Sequence, residues 1–250
     1  MTALKPPLDE GRILQTPRAR PATLRSVNHW TTTVVHQGEE RSPVLILDGF
    51  APDPAIFVDD AATREFAPIG PYYPGIRATV PAPLIADLLA ALEPLASETF
   101  GTGALSVVEA YYSIVTTPPS ALAPIQRLPH IDGVGEDRLA LLHYLSPDER
   151  GGTAFFRQRS TGYESVDRSR YPSYASALQL DVREHGLPDA AYIDGDTPLF
   201  DCIARHQGCF NRAILYRSNT LHCADLPADL TLSPDPRVGR LTVNTFLSAA

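Results

Sequence analysis

Along the chain, the spacing of apolar positions changes character near residue 104. Before it, SPVLILDGF at 42–50 is a compact apolar run that closes on Asp-Gly and is followed by Pro52 and Pro54. This predicts a buried strand running into a turn, with a helix after it from Pro54 to Phe66. Over residues 81–99, PAPLIADLLAALEPLASET sets Leu84, Ile85, Leu88, Leu89, Leu92 and Leu95 at helical spacing, with proline at the start where it suits a first turn. It is the clearest helix in the sequence. From Ala104 onward the pattern shortens to β-branched and aromatic segments separated by turn residues: LSVVEAYYSIV, RLALLHYL, TAFFRQR, RAILYRS and GRLTVNTFL. That succession predicts an antiparallel sandwich or barrel. Residues 1–22 are rich in Pro and Arg without a hydrophobic period and read as a flexible N-terminal arm. The rest, 23–250, reads as one domain: a helical and strand part over 23–103 and a β core over 104–250.

Composition narrows the function. A formal net charge of −8 disfavours a nucleic-acid groove, which needs clustered Lys and Arg, and points to a small-molecule partner. No stretch approaches the roughly 20 consecutive apolar residues of a membrane helix, and the start has no apolar signal region. Three cysteines, Cys202, Cys209 and Cys223, with no Cys-x-x-Cys pair, suggest neither a disulfide framework nor a thiolate zinc site, so a cytoplasmic protein is expected. The 24 prolines favour many short elements.

The chemistry lies in the β-rich half. His130 and Asp132 stand two apart at the head of RLALLHYL, so on a strand both side chains face one side and can meet one ion. A second histidine, His222, falls where the strand of RAILYRSNTLHC is expected to end. Two histidines and a carboxylate on one face of an ion leave positions open, an arrangement that suits iron(II) and oxygen chemistry. Arg240 and Thr242 follow on the next expected strand, again on one face. A guanidinium fork with a hydroxyl beside it suits a carboxylate. Alone, each element has an ordinary structural explanation: a chance His-x-Asp triplet, a hydrogen-bonded core histidine, an arginine paired with a nearby acid. Their order along the chain is the stronger signal.

That order resembles the iron(II)- and 2-oxoglutarate-dependent oxygenases, in particular their prolyl-hydroxylase-like branch. HID at 130–132, HYL at 143–145, GGTAFF at 151–156, RAILYRSNTLH at 212–222 and RLT at 240–242 occur in the sequence of that branch. The chain also looks like a bacterial group carrying YPGIR, here Tyr73 to Arg77. The resemblance implies a mainly β fold with flanking helices, a double-stranded β-helix (jelly roll, cupin-like) with N-terminal helices packed on it. It implies that His130, Asp132 and His222 ligate iron(II), that Arg240 anchors the 2-oxoglutarate co-substrate with Thr242 and Tyr144 as further donors, and that O2 is consumed. The implied reaction attacks an unactivated C–H of a small molecule, an amino acid or a biosynthetic intermediate derived from one, giving hydroxylation or desaturation and ring closure with release of succinate and CO2. The metal carboxylate Asp132 disfavours halogenation. Two departures stand out: the Gly-Gly segment lacks the Glu often found within it, and the stretch between GGTAFF and RAILYRS is long. Residues 161–196 within it read as a lid or a surface excursion.

Tyr72, Tyr73 and Arg77, ahead of the long helix, and Arg157, beyond the Gly-Gly turn, are candidates for substrate contact. If either arginine reaches the pocket, an anionic substrate such as an amino acid is favoured. His143 is expected to face away from Tyr144. A metal-dependent hydrolase and a non-catalytic cupin-like binding protein are the alternatives, and a monomer or a homodimer is compatible with the sequence.

Overall fold

The computed structural model describes residues 30–147, 151–230 and 232–250. The arm assigned to residues 1–22 lies outside the described residues. Ten strands form two antiparallel sheets. Strands β1 (Thr31–Gln37), β2 (Ser42–Asp48), β3 (Gly75–Thr79), β4 (Leu105–Val115), β5 (Arg138–Tyr144), β8 (Arg212–Arg217) and β10 (Leu241–Ala249) build the larger sheet in the order β1-β2-β8-β5-β10-β4-β3. Strands β6 (Gly152–Gln158), β7 (Phe200–Gln207) and β9 (His222–Asp225) build the smaller one in the order β7-β6-β9.

Alternation along the strands divides the larger sheet into two unlike faces. On the outer face, Leu45, Leu47, Leu139, Leu141, Ala213, Leu215, Leu241, Val243 and Leu247 are buried against Phe57 of helix α1 (Ala55–Ala61) and Ile85, Leu88, Leu92 and Ala96 of helix α2 (Ala82–Phe100). Helix α2 follows the expected spacing, and it stops where Gly101 takes φ 66° and donates its N–H to the Ser97 carbonyl. Helix α1 is shorter than the expected span to Phe66. It ends at Ala61, beyond which Asp60 pairs with Arg64 and Ala67 bridges to Arg77.

On the inner face, Val44, Ala140, Tyr144, Ile214 and Tyr216 meet Phe155 of the smaller sheet, with Ile203 and Ala204 beside them. Two facing sheets with a shared interior and helices packed on the outside make the double-stranded β-helix that the sequence implied. The Gly-Gly motif has a steric reason. A Cβ on Gly151, whose φ is +86°, would fall 1.9 Å from the Asp225 carbonyl oxygen, and one on Gly152 would fall 2.0 Å from that of His206. Glycine at both positions therefore lets β6 close on β9 at one side and β7 at the other.

The segment between β6 and β7 carries an unforeseen helix, α3 (Tyr171–His185). Tyr174, Leu178 and Val182 pack with Phe156, Val166, Leu199 and Phe200 on the outer side of the smaller sheet. Strands β1, β3, β7 and β9 also went unforeseen. No helix among the described residues is long and apolar enough to cross a membrane.

Candidate metal centre

His130 and His222 are joined backbone to backbone: the N–H of each donates to the carbonyl of the other, both at 2.9 Å. This isolated antiparallel bridge replaces the regular strand expected at His130-Ile131-Asp132. Residue alternation still holds across it, because Ile131 turns back into the cluster under α3 while its neighbours face the interior. The Asp132 N–H donates to the Ser218 carbonyl at 2.8 Å, so the turn after β8 sets the carboxylate's height. His222 does not end the strand of RAILYR. The chain turns at Ser218–Asn219 and His222 opens β9 in the other sheet. The three side chains thus come from the seam between the two sheets.

One ligand atom from each of His130, Asp132 and His222 lies within 4.8 Å of the others. His130 Nε2 is 3.6 Å from Asp132 Oδ1, and His222 Nε2 is 3.5 Å from Asp132 Oδ2. Donors at about 2.1 Å from one octahedral or tetrahedral ion lie roughly 3.0–3.5 Å apart, so the set fits a divalent metal with little movement. The His222 Nδ1 lies 2.9 Å from the Thr220 carbonyl, a contact that takes the ring proton and leaves the Nε2 lone pair facing Asp132. The Asp132 side chain is 15% exposed and that of His130 46%, so the seam opens toward solvent on the His130 side. Although its ring is partly open to solvent, desolvation within the seam and the nearby His222 and Arg77 lower His130 from the usual imidazole range. Burial raises Asp132, opposed by His222 and Arg77.

Around this seam the inner face is polar. Strand register sets Arg77 opposite Ser113, Ser113 opposite Thr242, and Thr242 opposite Tyr144, one row across β3, β4, β10 and β5. Arg240 stands just before β10 rather than on it. Its guanidinium is buried, donates to the Gly152 carbonyl at 2.7 Å and lies 5.8 Å from the centre of the Tyr144 ring. The Thr242 hydroxyl donates to Asn244 Oδ1 at 2.7 Å, and the Tyr144 hydroxyl shares a 2.7 Å hydrogen bond with Thr153. Burial, opposed mainly by Arg240, pushes the Tyr144 phenol up to about 12, so it stays protonated.

The substrate candidates separate. Tyr72 is 71% exposed, whereas the Tyr73 hydroxyl is buried against that of Ser113. Burial pushes that phenol up to about 12 against the opposing charges of Arg240 and Arg77, so it stays neutral between the two guanidinium groups. Arg77 lies close enough to the triad for its charge to act on His130 and Asp132. Arg157 is not brought there. It is ion-paired with Glu39, Glu164 and Asp201 and lines an open hollow with Gly38 and Asp196. His143 faces the outer side, where its Nε2 lies 3.0 Å from Asn211 Oδ1, and His206 Nε2 lies 2.9 Å from Gln37 Oε1.

Sequence reasoning missed Ser113, Tyr216 and Tyr192. The Tyr216 ring sits 4.9 Å from that of His222, and its buried hydroxyl has no hydrogen-bond partner. Its only trace in the sequence is a hydroxyl inside the apolar run ahead of His222. Tyr192 bonds the Thr117 carbonyl at 2.7 Å and is near enough to Tyr73 and Arg240 for mutual influence. The long insertion therefore reaches the site through this residue, while α3 packs elsewhere.

The chain is similar to several solved structures at low sequence identity. HygX from Streptomyces hygroscopicus with iron bound is similar with a TM-score of 0.51 at 13% identity, over 84% of this chain and 83% of that one. The alpha-ketoglutarate-dependent epimerase SnoN of nogalamycin biosynthesis gives 0.47 at 15% identity, over 83% and 78%. A prolyl-4-hydroxylase of Pseudomonas putida gives 0.43 at 12% identity, over 88% and 92%. No curated protein matches the chain. A family model matches residues 28–247, which take in both sheets, the triad and the polar row, and the chain belongs to that family, the family of unknown function DUF6445.

Proposed function

We propose that this protein is an iron(II)- and 2-oxoglutarate-dependent oxygenase acting on a small molecule, an amino acid or a metabolite derived from one. The observation that carries the reading is the triad: two imidazole Nε2 atoms within 3.6 Å of one carboxylate, at a seam open on one side. HygX, seen with iron bound and, in another structure, with nickel and 2-oxoglutarate, has this fold and supports the choice of metal and co-substrate. The metal, with 2-oxoglutarate and O2, supplies the oxidising power to attack an unactivated C–H, with hydroxylation or desaturation and ring closure as outcomes and succinate and CO2 as co-products.

The chain's own residues supply position and environment. His130, Asp132 and His222 hold the ion, and the Thr220 carbonyl fixes the His222 tautomer. Arg240 is buried beside Tyr144 and Thr242 and would take the far carboxylate of 2-oxoglutarate, where a guanidinium fork binds strongly because water is excluded. Because the Thr242 and Tyr144 hydroxyls are already engaged, a bound carboxylate would have to draw them from Asn244 and Thr153. Phe155 and Tyr216 form the dry wall behind His222.

An anaerobic absorption titration of metal-free protein with iron(II) and then 2-oxoglutarate tests the reading. A weak visible charge-transfer band should need both ligands. It should vanish in Asp132→Ala and need about 30-fold or more extra 2-oxoglutarate in Arg240→Ala, as expected for one buried charge-assisted pair. Absence of the band, with zinc bound as tightly as iron, would support a hydrolase instead.

A further inference from the structure

Among the described residues, Arg77 is an inner-face cation whose needs the fold leaves open. Its backbone is fixed on both sides, by pairing with Ser113 of β4 and by a two-way bridge to Ala67 at 2.9 and 3.0 Å. Its guanidinium lies 4.2 Å from the centre of the Tyr73 ring and 5.4 Å from that of Tyr111, which hold it as a plate between aromatic faces. Among the described residues, no carboxylate lies within ion-pair distance of it, and its buried Nε has no hydrogen-bond partner. Beside it, the buried hydroxyls of Tyr73 and Ser113 lie close enough to bond each other and have no further partner. A buried guanidinium N–H with no partner is rare in a folded interior, where an unsatisfied polar group costs about 1–3 kcal/mol. A guanidinium and two hydroxyls together match the two oxygens of a carboxylate.

The position argues against the co-substrate as the only ligand for this group. Arg77 lies on the edge strand, two strands beyond Thr242, or about 10 Å at ordinary strand spacing. The far carboxylate of 2-oxoglutarate is assigned to Arg240 under the proposed function, and Tyr73 is near enough to feel both guanidinium charges. Arg77 is nonetheless near enough to act on both His130 and Asp132.

Resting on the oxygenase reading, we propose that Arg77, with the hydroxyls of Tyr73 and Ser113, binds a carboxylate of the substrate. The substrate is thus a carboxylic acid, and its reacting carbon lies within a short span of that carboxylate.

Calorimetric titration of nickel- and 2-oxoglutarate-loaded protein tests this without turnover. The probes are a panel of monocarboxylates, from acetate and benzoate to N-acetylated amino acids, each paired with its primary amide. At least one acid should bind about tenfold or more tightly than its amide, a preference worth one charge-assisted pair. Arg77→Gln should abolish that preference, Arg77→Lys should keep part of it, and both should retain the wild-type melting profile and 2-oxoglutarate affinity. If no acid beats its amide, if Arg77→Gln preserves the preference, or if Arg77→Gln instead weakens 2-oxoglutarate about tenfold, the assignment to substrate is wrong. Should the iron and 2-oxoglutarate band be absent while the Arg77-dependent preference persists, the carboxylate site stands and the oxygenase reading falls.

Discussion

His143 and Tyr144 are neighbours on β5 and face opposite worlds. His143 points to the outer side of the larger sheet, between Phe50 and Phe57, with Asn211 as its hydrogen-bond partner. Tyr144 points inward, to a row of polar side chains beside Arg240 and the triad. The outer face is dominated by leucine and sealed by two helices. Thr245 Oγ1 is an unpartnered atom there, but on the inner side Arg77 and Tyr216 each carry one, and the Tyr73 and Ser113 hydroxyls have only each other. A face built for stability satisfies its polar groups, whereas a face built for ligands leaves some for the ligand to satisfy.

The largest expected effects come from crossing the two faces. Leu88→Ala, in the outer core, should lower unfolding free energy by about 2–5 kcal/mol by leaving a cavity, yet leave iron affinity of the folded protein unchanged. Asp132→Ala should do the reverse. Iron affinity should fall by more than the roughly 100-fold that loss of a mere orienting partner costs, while metal-free stability changes little or rises as a desolvated carboxylate is removed. Chemical denaturation and metal titration of both variants check this. Equal loss of stability and iron affinity in both variants would mean that the faces are not separable.

A smaller effect separates the faces by pH. Burial holds His143 at about 4, against an ordinary imidazole value near 6.5. As pH falls below about 6.5 the unfolded chain takes up the proton first, so the stability tied to the neutral ring is complete above that value and is lost as pH approaches about 4. The shift corresponds to about 3 kcal/mol at most. The difference in stability between wild type and His143→Leu should therefore change by an amount of that order across this window, in metal-free protein. A constant difference would show that the ring is not buried neutral.

How much of this was legible in the sequence follows the reach of the interactions. Helix α2 and strands β2, β4, β5, β6, β8 and β10 were readable because their apolar spacing is local. Strand β7, FDCIARHQ, was not, because its burial is partial and its alternation weak. Helix α3 was hidden because it buries a narrow stripe, with Tyr174 alone fully covered. His130, Asp132 and His222 were recognisable by order along the chain, but the bridge that joins them pairs residues far apart in sequence. The row from Arg77 to Tyr144 exists only through the register of four strands, two of them separated by most of the chain. Ser113 therefore carried no signal: nothing local marks a serine in LSVVEAYYSIV as facing a site.

The smallest predicted effect tests the comparison most directly. If the unpartnered hydroxyls of the inner face are kept for a ligand, removing one should not harm the empty protein. Tyr216→Phe keeps the ring packed between Phe155 and His222 and deletes only a buried oxygen that lacks a hydrogen-bond partner. Metal-free protein should gain about 1 kcal/mol, the lower end of the cost of an unsatisfied buried polar group. Tyr144→Phe, by contrast, breaks the bond to Thr153 and should lose a similar amount. Paired urea denaturation curves decide the matter. A gain for Tyr216→Phe and a loss for Tyr144→Phe separate a hydroxyl held for function from one that holds the fold, and a loss in both would mean that Tyr216 has a structural partner after all.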